Sequence, residues 1–276
     1  AMKNVRKFLR NPTAVVGLVI LVTLLLIAVI GPFFVQDPFA QLPSNKLQGP
    51  SMTHLLGTDD FGRDILARIV VGARYSLTSG IFAVALGLVG GLLMGTLSGY
   101  YGGLLDHIIM TICDILLAFP SVLLAMSIVM VMQPGVYTPM VAVGLSSIPT
   151  FARLVRAQFM SLKTNSYIEA VRSSGAGDMR IIFRHLLLNS MGPIIVQATL
   201  RMGSSIMLAS TLGFLGLGAQ PPTPEWGSML SFARNYIWVA PHMAIVPGMA
   251  ICVTVIAVNL LGDALRDFLD PRTRDN

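Results

Sequence analysis

The chain has 276 residues, 54% of them hydrophobic and only 12% charged, and its mean hydropathy is +0.73. A water-soluble domain with that balance would lack the polar surface to stay dispersed, so the composition excludes a soluble fold and points to one membrane domain. The formal net charge of +6 would fit nucleic acid, but the placement of the charges along the chain argues otherwise.

A bilayer core takes about 20 apolar residues per helix. Six stretches reach that length, at about 13–35, 77–100, 107–132, 137–155, 191–215 and 241–262. The expected fold class is therefore all-α, a polytopic membrane protein with about six transmembrane helices. The first apolar run is too long for a signal-peptide core and lacks a convincing cleavage site, so it reads as a retained helix. The second carries Gly87, Gly91, Gly95 and Gly99, four residues apart and hence on one face. Small residues there let another helix approach closely, either as a static contact or as a sliding seam. The fourth is interrupted by Pro139 and Pro149, which kink a membrane helix. Asp114 in the third and Arg201 in the fifth are costly in hydrocarbon, so each is expected to face the bundle interior or water, and their pairing is a hypothesis.

Between the helices, residues 36–76 mix Pro, Gly and charge, residues 156–190 are basic and helix-like, and residues 216–240 are rich in Gly and Pro. Asp59, Asp60 and Asp64 stand beside Arg63 and Arg68, as a gate, a docking surface or a local salt-bridged cap; exposed pairs of that kind are individually weak. Irregular backbone at membrane depth is tolerated only when buried in protein or lining a cavity, which makes 216–240 a candidate outer mouth. Glu225 and Trp226 are its main polar and aromatic features, and Trp226 reads equally as an interfacial anchor.

With the N-terminus in the cytoplasm, the inside segments hold thirteen of the 19 Lys and Arg residues and the outside segments five, with Arg201 left in the fifth helix. That bias favours both termini cytoplasmic and accounts for the net charge as a topology signal beside anionic lipid, without nucleic acid. Cys113 and Cys252 lie in apolar runs and read as packing thiols. Without a Cys-x-x-Cys or a His/Cys cluster, no metal site is expected. No G-x-x-x-x-G-K-[ST] occurs, so the chain has no P-loop of its own. An intramembrane protease would need His242 to reach Ser146 or Ser147, and nothing in the sequence places it there. An ion-gradient-driven secondary transporter would be expected to carry several ionisable groups at mid-membrane, where this chain offers only Asp114 and Arg201.

The segment Tyr167-Ile168-Glu169-Ala170-Val171-Arg172-Ser173-Ser174-Gly175, followed by Gly177, Arg180 and Arg184, reads as a short helix in a cytoplasmic loop. Its Glu-Ala-x-x-x-x-Gly core resembles the EAA motif of binding-protein-dependent ABC importers, although Leu188 stands where that pattern often has Pro. Leu55 to Asp64, Phe214 to Gly227, Asn259 to Asp267 and Leu269-Asp270-Pro271 are similar to the C-type permeases of the dipeptide/oligopeptide/nickel importer family. The resemblance implies a type I ABC importer permease fold and a non-enzymatic subunit forming half of a translocation pathway for short peptides, with glutathione, nickel or a metal chelate as alternative cargo. It implies residues 1–12 as a cytoplasmic segment, 13–76 as first helix and external loop, 77–264 as the core with a coupling loop at about 156–190, and 265–276 as a cytoplasmic tail. Glu169, Ala170, Arg172, Gly175 and Gly177 would couple to ATPase subunits. Asp59, Asp64, Arg201, Gln220, Glu225 and Trp226 are the candidates for the pathway or outer gate. The implied partners are a paralogous permease in a heterodimer, two ATPase subunits that hold ATP and Mg, an external substrate-binding protein and membrane lipid, in a bacterial inner membrane. No cofactor is expected in this chain.

Overall fold

The computed structural model describes residues 11–269; the basic residues before them and the last residues of the C-terminal motif lie outside the described residues. Among the described residues, five helices are long and apolar enough to cross a membrane, six if one bent pair counts as a span.

Helix α1 (Pro12–Ile30) starts at Asn11, whose Oδ1 accepts from Thr13 N, with Pro12 in the first turn where its missing N–H costs nothing. It packs on the C-terminal helix through Gly17 and leaves Val16, Val19, Leu26 and Val29 exposed, as a lipid-facing helix would. Helix α2 (Ile65–Tyr101) is capped by Asp64, which accepts from Ala67 N, and stops at Gly102 with φ +70°. It begins well before the expected residue 77, because its first turns carry Arg68, Arg74 and Ser76 and lower the hydropathy. Its 37 residues span roughly 55 Å at 1.5 Å per residue against a hydrocarbon core of about 30 Å, so α2 projects beyond the bilayer.

The third apolar stretch is not one helix. It forms α3 (Gly103–Ala118) and α4 (Ser121–Met132), bent by 98° at Phe119-Pro120. Proline drives the residue before it out of the helical region, and Phe119 is extended at ψ 138°. Helix α5 (Thr138–Lys163) runs on past the expected residue 155, with Pro139 harmless in its first turn and Pro149 absorbed inside. Next come the short α6 (Ser166–Ser173) and the long α7 (Asp178–Phe214), which includes a π-helical stretch at Ile181–Leu187. Helix α8 (Trp226–Ala233) lies in the last loop, and α9 (His242–Leu269) completes the bundle.

The glycine face of α2 is buried against α5. A Cβ at Gly87 would lie 2.8 Å from Ser147 Cβ, and one at Gly99 2.8 Å from Phe159 Cβ. At Gly91 it would strike Phe151 Cβ directly, and at Gly95 it would stand 2.5 Å from the Ala152 carbonyl. Apolar clusters mark the levels of the bundle: Ile65, Leu77, Trp226 and Met243 at one end, Ala83, Val129, Val143 and Leu212 in the middle, and Tyr100, Phe159, Ile168 and Leu186 at the other. Cys113 is buried, whereas Cys252 is exposed on α9 and does not pack inward as expected; the two are not bonded.

Gly91→Ala forces a methyl group onto Phe151 and should cost about 1–3 kcal/mol, read as a lower thermal midpoint in detergent. Gly192→Ala, where nothing lies within 4 Å of the added Cβ, should be neutral or slightly stabilising. Equal losses at both sites would show that the α2–α5 contact is not the limiting one.

Candidate functional site

At one end of the bundle, α6 stands clear of the helix ends on a single apolar foot. Ile168 is buried at 1% exposure, Val171 packs beside it against the α2, α5 and α7 ends, and Glu169, Ala170 and Arg172 face outward. Glu169 in the first turn and Arg172 in the last both suit the helix dipole. Gly175 closes the helix at φ +82°, a conformation an L side chain rarely adopts. Gly177 has an ordinary backbone and precedes α7, accepting from Arg180 N at 3.0 Å. The base is tied together: Tyr100 OH donates to Asp178 Oδ1 at 2.6 Å, and Lys163 Nζ donates to the Tyr100 carbonyl at 2.5 Å. Asp106 on α3 holds Arg156 on α5 through two hydrogen bonds of 2.6 and 2.7 Å and accepts from Ser98 on α2. These partners are far apart in the sequence, so no local pattern could have pointed to them. A groove of about 430 Å³ opens beside α6, lined by Glu169, Lys163 and Asp106.

The opposite end is closed by residues 36–64 and 215–241. Asp59 accepts from the backbone N–H of Phe61 and Arg63, both at 2.9 Å, and from Arg63 Nε at 2.6 Å, with Arg68 Nε at 3.5 Å. Arg68 Nη1 donates to the carbonyls of Pro38 and Pro222, each at 3.2 Å, and so joins both loops to α2. Asp64 meets His54 Nδ1 at 2.9 Å while capping α2. Asp59, Arg63, Asp64 and Arg68 are all buried, so the cluster is an internal brace in place of the exposed pairs the sequence suggested. Asp60 Oδ1 is buried without a hydrogen bond, and burial together with the Asp59 charge pushes its carboxyl up.

Glu225 caps α8. Its oxygens accept from Gly227 N and Ser228 N, both at 2.8 Å, from Ser228 Oγ at 3.0 Å and from Ser76 Oγ at 3.4 Å, while burial pushes the carboxyl up against those bonds. Trp226 is 1% exposed, donates Nε1–H to the Ile69 carbonyl at 3.1 Å and packs on Gly72, so it is a core residue and not an interfacial anchor. Trp238, 96% exposed in the same loop, has the surface position that an anchor needs. Gln220 is exposed and donates to the Gly216 and Gly218 carbonyls. The structure therefore gathers Asp59, Asp64, Glu225 and Trp226 into one closed end, with Gln220 at its surface and Arg201 apart.

Inside the bundle, the hypothesised Asp114–Arg201 pair is not formed. Asp114 bonds to Arg153, one helix face away on α5, and Arg201 Nη2 donates to Thr150 Oγ1 at 3.0 Å. Arg201 lines a cavity of about 250 Å³ between α4, α5 and α7, where the hydroxyls of Ser146, Ser147, Ser204 and Thr211 alternate with apolar Val122, Val143, Met207 and Leu208. The serine–histidine dyad does not form either: Ser146 and Ser147 both donate to the Val143 carbonyl, and His242 Nε2 donates to the Thr58 carbonyl at 3.2 Å. Among the described residues no group of three or more His, Cys, Asp or Glu could hold a metal ion.

Residues 87–275 match the family described as binding-protein-dependent transport system inner membrane component, and residues 3–50 match the N-terminal TM domain of oligopeptide transport permease C. The chain is 48% identical to a dipeptide transport system permease protein of Alkalihalophilus pseudofirmus, over 99% of this chain and 90% of the relative. It is 49% identical to a glutathione transport system permease protein of Pectobacterium atrosepticum, over 98% and 90% respectively. Among solved structures, an inward-facing methionine ABC transporter gives a TM-score of 0.61 at 18% identity, covering 75% of this chain and 98% of that one, which is a likeness of fold.

Asp59→Asn leaves Arg63 and Arg68 buried beside a neutral group and should destabilise the protein by about 3–5 kcal/mol. Asp60→Asn removes a buried charge beside Asp59 whose Oδ1 has no hydrogen bond and only a 3.9 Å approach to Arg63, and it should cost far less than Asp59→Asn. Thermal melts of the two variants in detergent check both; a mild Asp59→Asn would show that the brace is not what holds this end closed.

Proposed function

The chain belongs to the family of binding-protein-dependent transport system inner membrane components, the permease subunits of ABC importers, and from that premise we propose that it forms half of the pathway of an ATP-driven importer of short peptides. The observation that carries the coupling part of this reading is α6, an exposed helix seated through Ile168 and Val171 on the ends of three long helices. A knob on a flexible loop would absorb a push from a partner. One seated through Ile168 and Val171 on helix ends that Tyr100–Asp178 and Lys163 tie together passes the push to α2, α5 and α7.

Separate ATPase subunits dock on α6 and hold ATP and Mg; a paralogous permease completes the pathway, and an external binding protein delivers cargo to the braced end. Both termini then lie in the cytoplasm, in keeping with the Lys/Arg bias. Closure of the ATPase pair displaces α6, and the long helices carry that displacement to the braced outer end, where cargo enters. Glutathione is the second reading, favoured by a relative at 49% identity that is named for glutathione transport.

The test is ATP hydrolysis by the assembled complex in proteoliposomes. Glu169→Lys removes the acidic group of α6 and leaves its outward face wholly basic, beside Arg172. Gly175→Val forces a β-branched residue into a left-handed turn at φ +82°, a strain of about 1–2 kcal/mol. Each should cut cargo-stimulated hydrolysis at least tenfold while the permease itself remains folded. Wild-type hydrolysis in both variants would remove α6 from the coupling route.

A further inference from the structure

The cavity around Arg201 has a sign. Arg201 makes no ion pair among the described residues; its side chain donates to the neutral Thr150 hydroxyl. The cavity lining contains no acidic residue, and its other polar groups are hydroxyls. Ser146 donates to the Val143 carbonyl, Ser204 to the Arg201 carbonyl and Thr211 to the Met207 carbonyl, so these hydroxyl hydrogens are held by the backbone and the Arg201 guanidinium is the charged donor of the lining. The rim is open, with Ser204 exposed and Met207 61% exposed. An unpaired guanidinium and a row of hydroxyls do not face hydrocarbon; such groups face water or protein. The apolar exposed face of α1 shows what this chain presents to lipid.

The geometry points to Arg201 as a carboxylate-recognition residue on a water-filled face between α4, α5 and α7, a transient station for an anionic cargo crossing the membrane. This rests on the importer reading and sharpens it. Dipeptides and glutathione carry carboxylates that a guanidinium holds in a fork of hydrogen bonds, whereas a free metal cation is repelled at the same point. The other occupant that would satisfy Arg201 is a carboxylate of the paired permease, which would seal this face.

The experiment uses the complete transporter in proteoliposomes, with Cys252→Ser removing the exposed native thiol and Ser204→Cys placing a reporter at the rim. Methanethiosulfonate reagents bearing a sulfonate or a trimethylammonium group measure access and sign. We expect both to react, the anionic one preferentially, with the anion-to-cation rate ratio falling about tenfold in Arg201→Gln and persisting in Arg201→Lys. Dipeptide with binding protein and ATP should slow the modification. A reporter thiol inert to both reagents, or a ratio unchanged by Arg201→Gln, overturns the inference. Peptide uptake by the same vesicles is read separately: its absence with the charge ratio intact sinks the peptide reading and leaves an anion station for another acid.

Discussion

Backbone-to-backbone contact along one face of α2 is the constraint on which the rest of the bundle depends. In lipid there is no hydrophobic drive to bring helices together, so association relies on close van der Waals packing. Gly87, Gly91, Gly95 and Gly99 remove the side chains that would hold α5 away, and Phe151, Ala152 and Val155 fill the space. With α2 and α5 locked, the remaining elements have fixed surfaces to meet. Gly80 receives Ile206 of α7, Gly72 receives the Trp226 segment, and Arg156 on α5 reaches Asp106 on α3.

The two ends of this seam are built differently. One is braced by buried charge, with Asp59, Arg63 and Arg68 joining two loops to the first turns of α2. The other is tied between helix ends by the Tyr100–Asp178 and Lys163 hydrogen bonds and the Asp106–Arg156 ion pair, and it leaves α6 exposed. A transporter needs such a division. On the proposed function, the end at α6 would serve as the handle for a mechanical input, and the braced end would hold its loops in register for cargo. Between them, the cavity at Arg201 is the place where the helices leave polar groups unmatched by charge.

Local patterns expose the six-span plan, the glycine face and the short helix at 166–173, since each depends on spacing within one segment. The break at Phe119-Pro120 is also written locally, yet an apolar run of more than twenty residues outweighs one proline when read as a span. The early starts of α2 and α7 are hidden because helix outside the bilayer is polar and hydropathy is blind to it. Trp226 reads from the sequence as a candidate for the membrane surface, but Gly72 on another helix gives it a buried seat, and Trp238 is the tryptophan left exposed.

From the sequence by itself follow the membrane class, the approximate positions of the apolar segments, the bias of charge between alternate loops and the short helix proposed to meet the ATPase. All are properties of composition and near-neighbour periodicity, which a bilayer enforces strongly because unsatisfied backbone has no place in it. Only the tertiary structure decided the partners of the ionisable groups. Asp114 took Arg153 and Arg201 was left with Thr150; Arg68 found carbonyls of Pro38 and Pro222 in distant loops. Which charges meet depends on how the helices rotate about their axes once the glycine face has chosen its neighbour, and that choice is made between segments, not within them.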